Sequence, residues 1–157
     1  MEIRENNDGE YLKDLMYESV HITKNKPKKE KLLSDPMLKK YYENWGKQGD
    51  TFLGIFEEDG TFVGGAYYRL FENEDKGYGF VNNATPEITI ALFENYRGKG
   101  YGQKLLSKLI DKAKEQGFKQ ISLSVDSQHY PAIKLYEKNG FVFYKKDGTS
   151  QTMICKF

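Results

Sequence analysis

The chain has 157 residues, 38% of them hydrophobic and 30% charged, enough for one domain, spanning 1–157, with a real core. Lys and Arg number 24 against 23 Asp and Glu, a net charge of +1, so no global field favours nucleic acid or a membrane surface. Cys155 stands alone, which excludes an internal disulfide and a cysteine metal cluster, and two histidines, His21 and His129, do not suggest a zinc site; no metal is expected. The first residues, Met-Glu-Ile-Arg-Glu, hold no apolar signal core, and no apolar run approaches the roughly 18 residues of a membrane helix, so a cytoplasmic protein is expected.

Glu2 to Arg4 starts a short strand. Asp8 is a candidate N-cap for a helix whose Leu12, Leu15, Met16 and Val20 recur at helical spacing as far as Ile22. The basic run Lys24 to Lys31, broken by Pro27 and Glu30, reads as a solvated loop. Asp35-Pro36 caps a second helix expected to reach about Trp45. Phe52 to Phe56 and Phe62 to Leu70 are strands joined by the Asp59-Gly60 turn. Phe71 to Asn83 is a polar excursion of the kind that carries functional loops.

The central stretch follows. Glu87 to Phe93 is a β-branched and apolar strand, Glu94-Asn95-Tyr96 a turn, and Arg97-Gly98-Lys99-Gly100-Tyr101-Gly102 a glycine loop running into a helix from Gln103 to Glu115. Three glycines at alternate positions let the backbone approach a ligand closely. The free N–H groups of the helix start make an anion site suited to a pyrophosphate, with Arg97 and Lys99 at its rim. A P-loop needs Lys-Ser or Lys-Thr after the glycines, and a dinucleotide fingerprint needs G-x-G-x-x-G with an acid about 20 residues on. Neither is present, which sets aside a nucleotide- or NAD-binding protein.

Ile121, Leu123 and Val125 alternate with Ser122 and Ser124 as a strand with one apolar face. A helix from Tyr130 to Lys138 ends at Gly140, and Phe141 to Tyr144 and Thr152 to Cys155 form a closing hairpin around Asp147-Gly148. The order βαα, three antiparallel strands, αβα and a hairpin gives a mixed α/β (α+β) sheet flanked by helices. Splaying of two parallel strands, ending near Leu92 and Val125, would open a crevice at the sheet's carboxyl edge, where ligands of such sheets bind.

Arg97-x-x-Gly100-x-Gly102 resembles the acyl-coenzyme A loop (Q/R-x-x-G-x-G/A) of the GNAT N-acetyltransferase superfamily, and Ala132-x-x-Leu135-Tyr136-Glu137-x-x-Gly140-Phe141 resembles a second signature of that superfamily. The two occur in the expected order, and the resemblance covers most of the chain, most weakly over residues 5–50 where acceptors bind. It implies a bulge near Ala91-Leu92 that frees backbone at Leu92 and Glu94 for the pantetheine arm. It also implies a cofactor surface of Leu92, Phe93, Glu94, Arg97, Gly98, Lys99, Gly100, Tyr101, Gly102, Gln103 and His129. His129 stands where many relatives carry Asn.

The chemistry implied is acetyl transfer from acetyl-CoA, as cosubstrate, to a primary amine of a small molecule or peptide by direct attack on the thioester. Glu87 matches the position of a catalytic glutamate and is the candidate base. The Leu92 N–H is the candidate oxyanion donor, and Tyr136 the acid for the leaving thiolate. Trp45, Asp50 and Tyr78 are candidates for acceptor contact. A homodimer is open, and the alternative reading is a noncatalytic acyl-CoA-binding module.

Overall fold

Seven strands lie in one mixed sheet: β1 (Glu2–Glu5), β2 (Thr51–Phe56), β3 (Phe62–Arg69), β4 (Glu87–Leu92), β5 (Gln120–Asp126), β6 (Val142–Asp147) and β7 (Ser150–Lys156), in the order β1-β2-β3-β4-β5-β7-β6. The computed structural model describes residues 1–157. The helices are α1 (Glu10–Ser19), α2 (Lys29–Leu33), α3 (Pro36–Lys39), α4 (Tyr101–Glu115) and α5 (Tyr130–Lys138). No helix is long and apolar enough to cross a membrane.

Strand alternation sorts side chains onto two faces. Leu53, Ile55, Ala66, Tyr68, Ile88, Ile121, Leu123 and Val125 meet α4 and Tyr136 of α5 in one core. Phe52 and Tyr67 meet α1, α2, α3 and Tyr41 in the other. Glu87 and Thr89 alternate with Ile88 and Ile90, so they share the face that Ala91 presents to the second core.

β1 to β4 pair antiparallel in sequence order, and β5, β7 and β6 form a second antiparallel set. Between the sets, β4 and β5 run parallel and register at Glu87↔Ser122 alone. A further bond joins them just below, Ser122 N to Pro86 O at 3.0 Å. Beyond that point the strands part, which is the opening the sequence leads one to expect.

The expected bulge near Ala91-Leu92 is absent. The β3–β4 register runs unbroken from Arg69↔Glu87 to Gly64↔Leu92, and Phe93 N continues it to Val63 O at 3.1 Å. Antiparallel ladders alternate, so a residue beside this bonded pair turns its N–H and C=O away from the partner strand. Leu92 therefore presents its backbone to the β5 side without a bulge, because β5 has swung away.

Several helix boundaries differ from expectation. The first helix stops at Ser19, with Val20 already extended. The lysine run is not all loop: Lys29–Leu33 is α2, which buries Leu33. Asp35 caps α3 through Met37 N at 2.9 Å, but α3 ends at Lys39, and the chain turns through residues 40–44, Asn44 having φ 55°. Tertiary contacts hold that turn. Arg69 is 2% exposed and spends all five N–H donors: Nε and Nη2 on the two Asp50 oxygens at 3.0 and 2.7 Å, Nη1 on Lys40 O and Glu43 O, and Nη2 again on Asn44 O.

Candidate active site

Glu87 opens β4 at the last rung before β4 and β5 part, and it is 3% exposed. Its Oε2 accepts from the Tyr41 hydroxyl, and its Oε1 accepts from Gly79 N at 3.0 Å. Burial pushes the carboxyl up to about 7, against the pull of these two hydrogen bonds and of the Lys40 charge. Burial and the adjacent carboxylate both push the Tyr41 phenol well above its usual range.

The excursion between β3 and β4 holds this group down. Ser122 Oγ donates to Gly79 O at 2.7 Å, so one residue of the excursion bridges Glu87 of β4 and Ser122 of β5. A Cβ on Gly79 would lie 2.6 Å from the Leu123 carbonyl carbon and 2.8 Å from Ser124 N, both backbone atoms that cannot yield. Gly79→Ala is expected to cost about 1–3 kcal/mol of stability in urea unfolding, the usual penalty of overpacking.

The glycine loop differs from expectation at one residue. Gly98 and Gly100 have φ 74° and 88° and open space where a Cβ would sit, and Gly100 precedes α4 with no side-chain cap. The N–H groups of Tyr101, Gly102 and Gln103 are thus the uncapped first turn of α4. Gly102 is not loop but helix. A Cβ there would meet Leu135 Cδ2 at 3.3 Å, so its smallness serves the packing of α5 on α4.

The remaining candidates divide. Arg97 folds back from the loop, Nε donating to Leu92 O at 2.9 Å and Nη2 pairing with Glu18 at 3.2 Å. Glu94 begins a 3-10 turn and gives its carbonyl to Arg97 N, while Phe93 caps that turn with its ring edge-on to Phe62. Lys99 lies over the Tyr96 ring at 5.9 Å. Gln103 is tied by its amide to Asn139 at the end of α5.

His129 caps α5, its Nδ1 accepting from Ala132 N at 3.2 Å, with the His21 ring edge-on at 4.1 Å. Desolvation and then His21 lower its pKa, which favours the neutral ring. Tyr136 is 8% exposed and packs on Phe141 at 5.8 Å, and burial pushes its phenol up. Tyr136 belongs to the α4 core, whereas Tyr41, the partner of Glu87, belongs to the α1 core. A ligand touching both Tyr136 and Glu87 has to pass through the β4–β5 opening.

Among the acceptor candidates, Tyr78 is 44% exposed with its ring stacked on Tyr41 at 6.4 Å, beside Glu87. Asp50 is committed elsewhere. Both oxygens hold Arg69, and Oδ2 also accepts from Gly46 N and Lys47 N. Trp45 packs edge-on to Tyr67 with Arg69 over its ring at 5.1 Å. These two wrap the buried arginine and serve the framework. Arg69 itself was missed from sequence; a lone charge closing the apolar strand Phe62 to Tyr68 was the available signal.

Comparison with known proteins bears on the family and the fold. Over 88 residues the chain is 33% identical to the L-amino acid N-acyltransferase MnaT of Escherichia coli, covering 56% of this chain and 48% of that protein. Over 95 residues it is 36% identical to the spermine/spermidine N(1)-acetyltransferase of Bacillus subtilis, covering 58% and 59%. The matches thus span about half the length of these curated relatives. The crystal structure of PaiA N-acetyltransferase from Thermoplasma acidophilum in complex with coenzyme A superposes with a TM-score of 0.65 at 24% identity over 100% of both chains, which shows the fold. The model of the acetyltransferase (GNAT) family matches residues 15–141, from α1 through both glycine-bearing motifs to Phe141, and the chain belongs to that family.

Proposed function

We propose that this chain, acting as one domain, transfers an acetyl group from acetyl-CoA to a primary amine by direct attack, with Glu87 as the base. The observation that carries the proposal is a buried carboxylate near pKa 7 at the point where β4 and β5 part. An alkylammonium with pKa about 10.4 must lose its proton before it can attack. Handing that proton to an ordinary carboxylate near 4.5 is uphill by about 8 kcal/mol; handing it to one near 7 is uphill by about 4–5 kcal/mol. Burial of Glu87 thus removes about 3 kcal/mol from this step.

The residues present suit acetyl-CoA. The open space over Gly98 and Gly100 and the uncapped amides of Tyr101 to Gln103 fit a pyrophosphate. The Leu92 backbone faces the gap left by β5, where it serves an extended arm as an added strand would, with its N–H the oxyanion donor. The thioester supplies the activated acetyl group. Glu87 takes the ammonium proton, directly or through water, and later gives it up to solvent. The neutral nitrogen then bonds to the acetyl carbon as the C–S bond breaks, Tyr136 gives its proton to the departing thiolate, and the second proton shed by the nitrogen restores the phenol through water. Leu92 O has a second lone pair for the arm beside the bond it takes from Arg97 Nε, and Arg97 keeps its charge at the rim of the loop. The names of the relatives, an amino-acid acyltransferase and a polyamine acetyltransferase, support an amine acceptor.

Thermal unfolding with acetyl-CoA, CoA, NAD and ATP tests the cofactor assignment without knowledge of the acceptor. At 100 times its Kd a ligand adds about 2.7 kcal/mol, or about 5–11 °C in Tm for a chain this size. A shift with acetyl-CoA and CoA alone is expected; no shift with either overturns the proposal.

A further inference from the structure

We infer that Tyr41 is a positioning residue for Glu87, clamping its carboxylate against the excursion and holding it in the ionised, proton-accepting form. The inference rests on the reading of Glu87 as the base and adds to it a residue from the core on the same face of the sheet. No short motif joins the two: they lie 46 residues apart, on the turn after α3 and at the start of β4.

Hydrogen-bond arithmetic supports the assignment. A phenol oxygen carries one proton and accepts through its lone pairs. Tyr78 N donates to the Tyr41 oxygen at 2.6 Å, so the phenol's own proton is left to face Glu87 Oε2. Gly79 N takes the other carboxylate oxygen. Both oxygens are thus held by donors, and donors favour the charged form of a carboxylate. The fit is close: a Cβ on Gly77 would lie 2.7 Å from the Tyr41 oxygen and would also strike Glu87 Oε1, so the excursion reaches this pair through a residue without a side chain.

The other groups around Glu87 cannot take over this task. Arg69 stands directly opposite on β3, but Asp50 and three carbonyls use all its donors. Lys40 contributes charge at a distance, with its ammonium paired to Asp75 and bonded to Lys76 O. Tyr67 of β3 is buried and directs its hydroxyl to Met16 sulfur at 3.9 Å. Ser122 of β5 donates to Gly79 O. Tyr41 is therefore the one side chain that donates to the Glu87 carboxylate. Its own place is set from below, because Arg69 grips the carbonyls of residues 40, 43 and 44 on either side of it.

The test follows Glu87 itself. In protein labelled with carboxyl-13C glutamate, the Glu87 resonance is assigned by its loss in Glu87→Gln and titrated by NMR in the wild type and in Tyr41→Phe. A midpoint near 7 is expected in the wild type, moving upward by about one unit in Tyr41→Phe, the size of one hydrogen bond to a charged group. The acidic limb of the kcat profile should move by the same amount, with activity recovered at high pH. A midpoint unchanged in Tyr41→Phe overturns the inference, whatever happens to the rate. Should Tyr41→Phe not fold, 3,5-difluorotyrosine placed at position 41 keeps the ring and the hydroxyl. Its more acidic phenol is a stronger donor and should move the Glu87 midpoint down; no movement again overturns the inference. Failure of the acetyl-transfer reading is separate: it shows as no turnover of any amine by the wild type, while the NMR midpoints still respond to residue 41.

Discussion

Glu87→Gln is expected to lower kcat by about 10²–10⁴-fold, the range for losing a positioned base, while leaving the affinity for acetyl-CoA within a factor of a few. The amide keeps the size of the carboxyl and one acceptor oxygen for Gly79 N or for Tyr41, so the fold should persist. Steady-state kinetics with any accepted amine, together with CoA binding by calorimetry, separates this outcome from a binding defect. A variant of near-normal kcat would remove Glu87 from the chemistry.

The same substitution has a second signature in stability. The folded-state pKa of Glu87 is raised from about 4.5 to about 7. Between these values the native protein holds a proton that the unfolded chain has released. The carboxyl's contribution is therefore fully favourable below about 4.5 and is lost as pH rises to about 7. Relative to the wild type, Glu87→Gln should become steadily more stable across this window and level off above it. Urea unfolding at pH 4.5, 6 and 8 measures the trend. A slope of the opposite sign would mean that Glu87 is not raised by burial.

Arg69→Met is expected to destabilise the fold by about 3–5 kcal/mol, the cost of removing one partner of a buried ion pair. Against a total of about 5–15 kcal/mol this is a large share. The methionine strands the Asp50 carboxylate, whose side chain is 1% exposed, and three carbonyls of the turn after α3. Urea midpoints check the size. Arg69→Met combined with Asp50→Leu should recover part of the loss, because the uncompensated charge is gone. If the single variant lost less than about 1 kcal/mol, the network would be decorative. Activity should fall beyond the stability loss, since the released turn carries Tyr41.

Much of this was legible because local chemistry dictates it. The Tyr130–Lys138 helix, the Asp59-Gly60 and Asp147-Gly148 turns and the Asp35 cap came from residues acting on their neighbours. The glycine loop was legible as a loop, but Gly102 was not: its reason is Leu135, on another helix. The short α2 escaped notice because three lysines mask the apolar pair Leu32-Leu33 that docks it. Asp50 looked available to a ligand because its partner lies 19 residues on, at the far end of a hairpin. The Tyr41–Glu87 contact was invisible for the same reason, although Glu87 itself stood out through the family resemblance. Short-range signals describe elements; which side chains meet across the sheet is decided by register.

The single rung between β4 and β5 bears on how the protein breathes. Four strands on one side and three on the other share Glu87↔Ser122 and little else of the ladder. The molecule is closer to two cooperative units butted together than to one continuous slab, and such units open independently. Amide deuterium uptake should reveal the seam: protons on β4 and β5 that face it should exchange by small openings, while those deep in β2–β3 and β5–β7 wait for global unfolding. A ligand lying along the gap would bond to one unit and pack on the other, coupling their fluctuations. Its binding should slow exchange far beyond the residues it touches, a gain in order that costs part of the affinity and tightens the grip on whatever binds second.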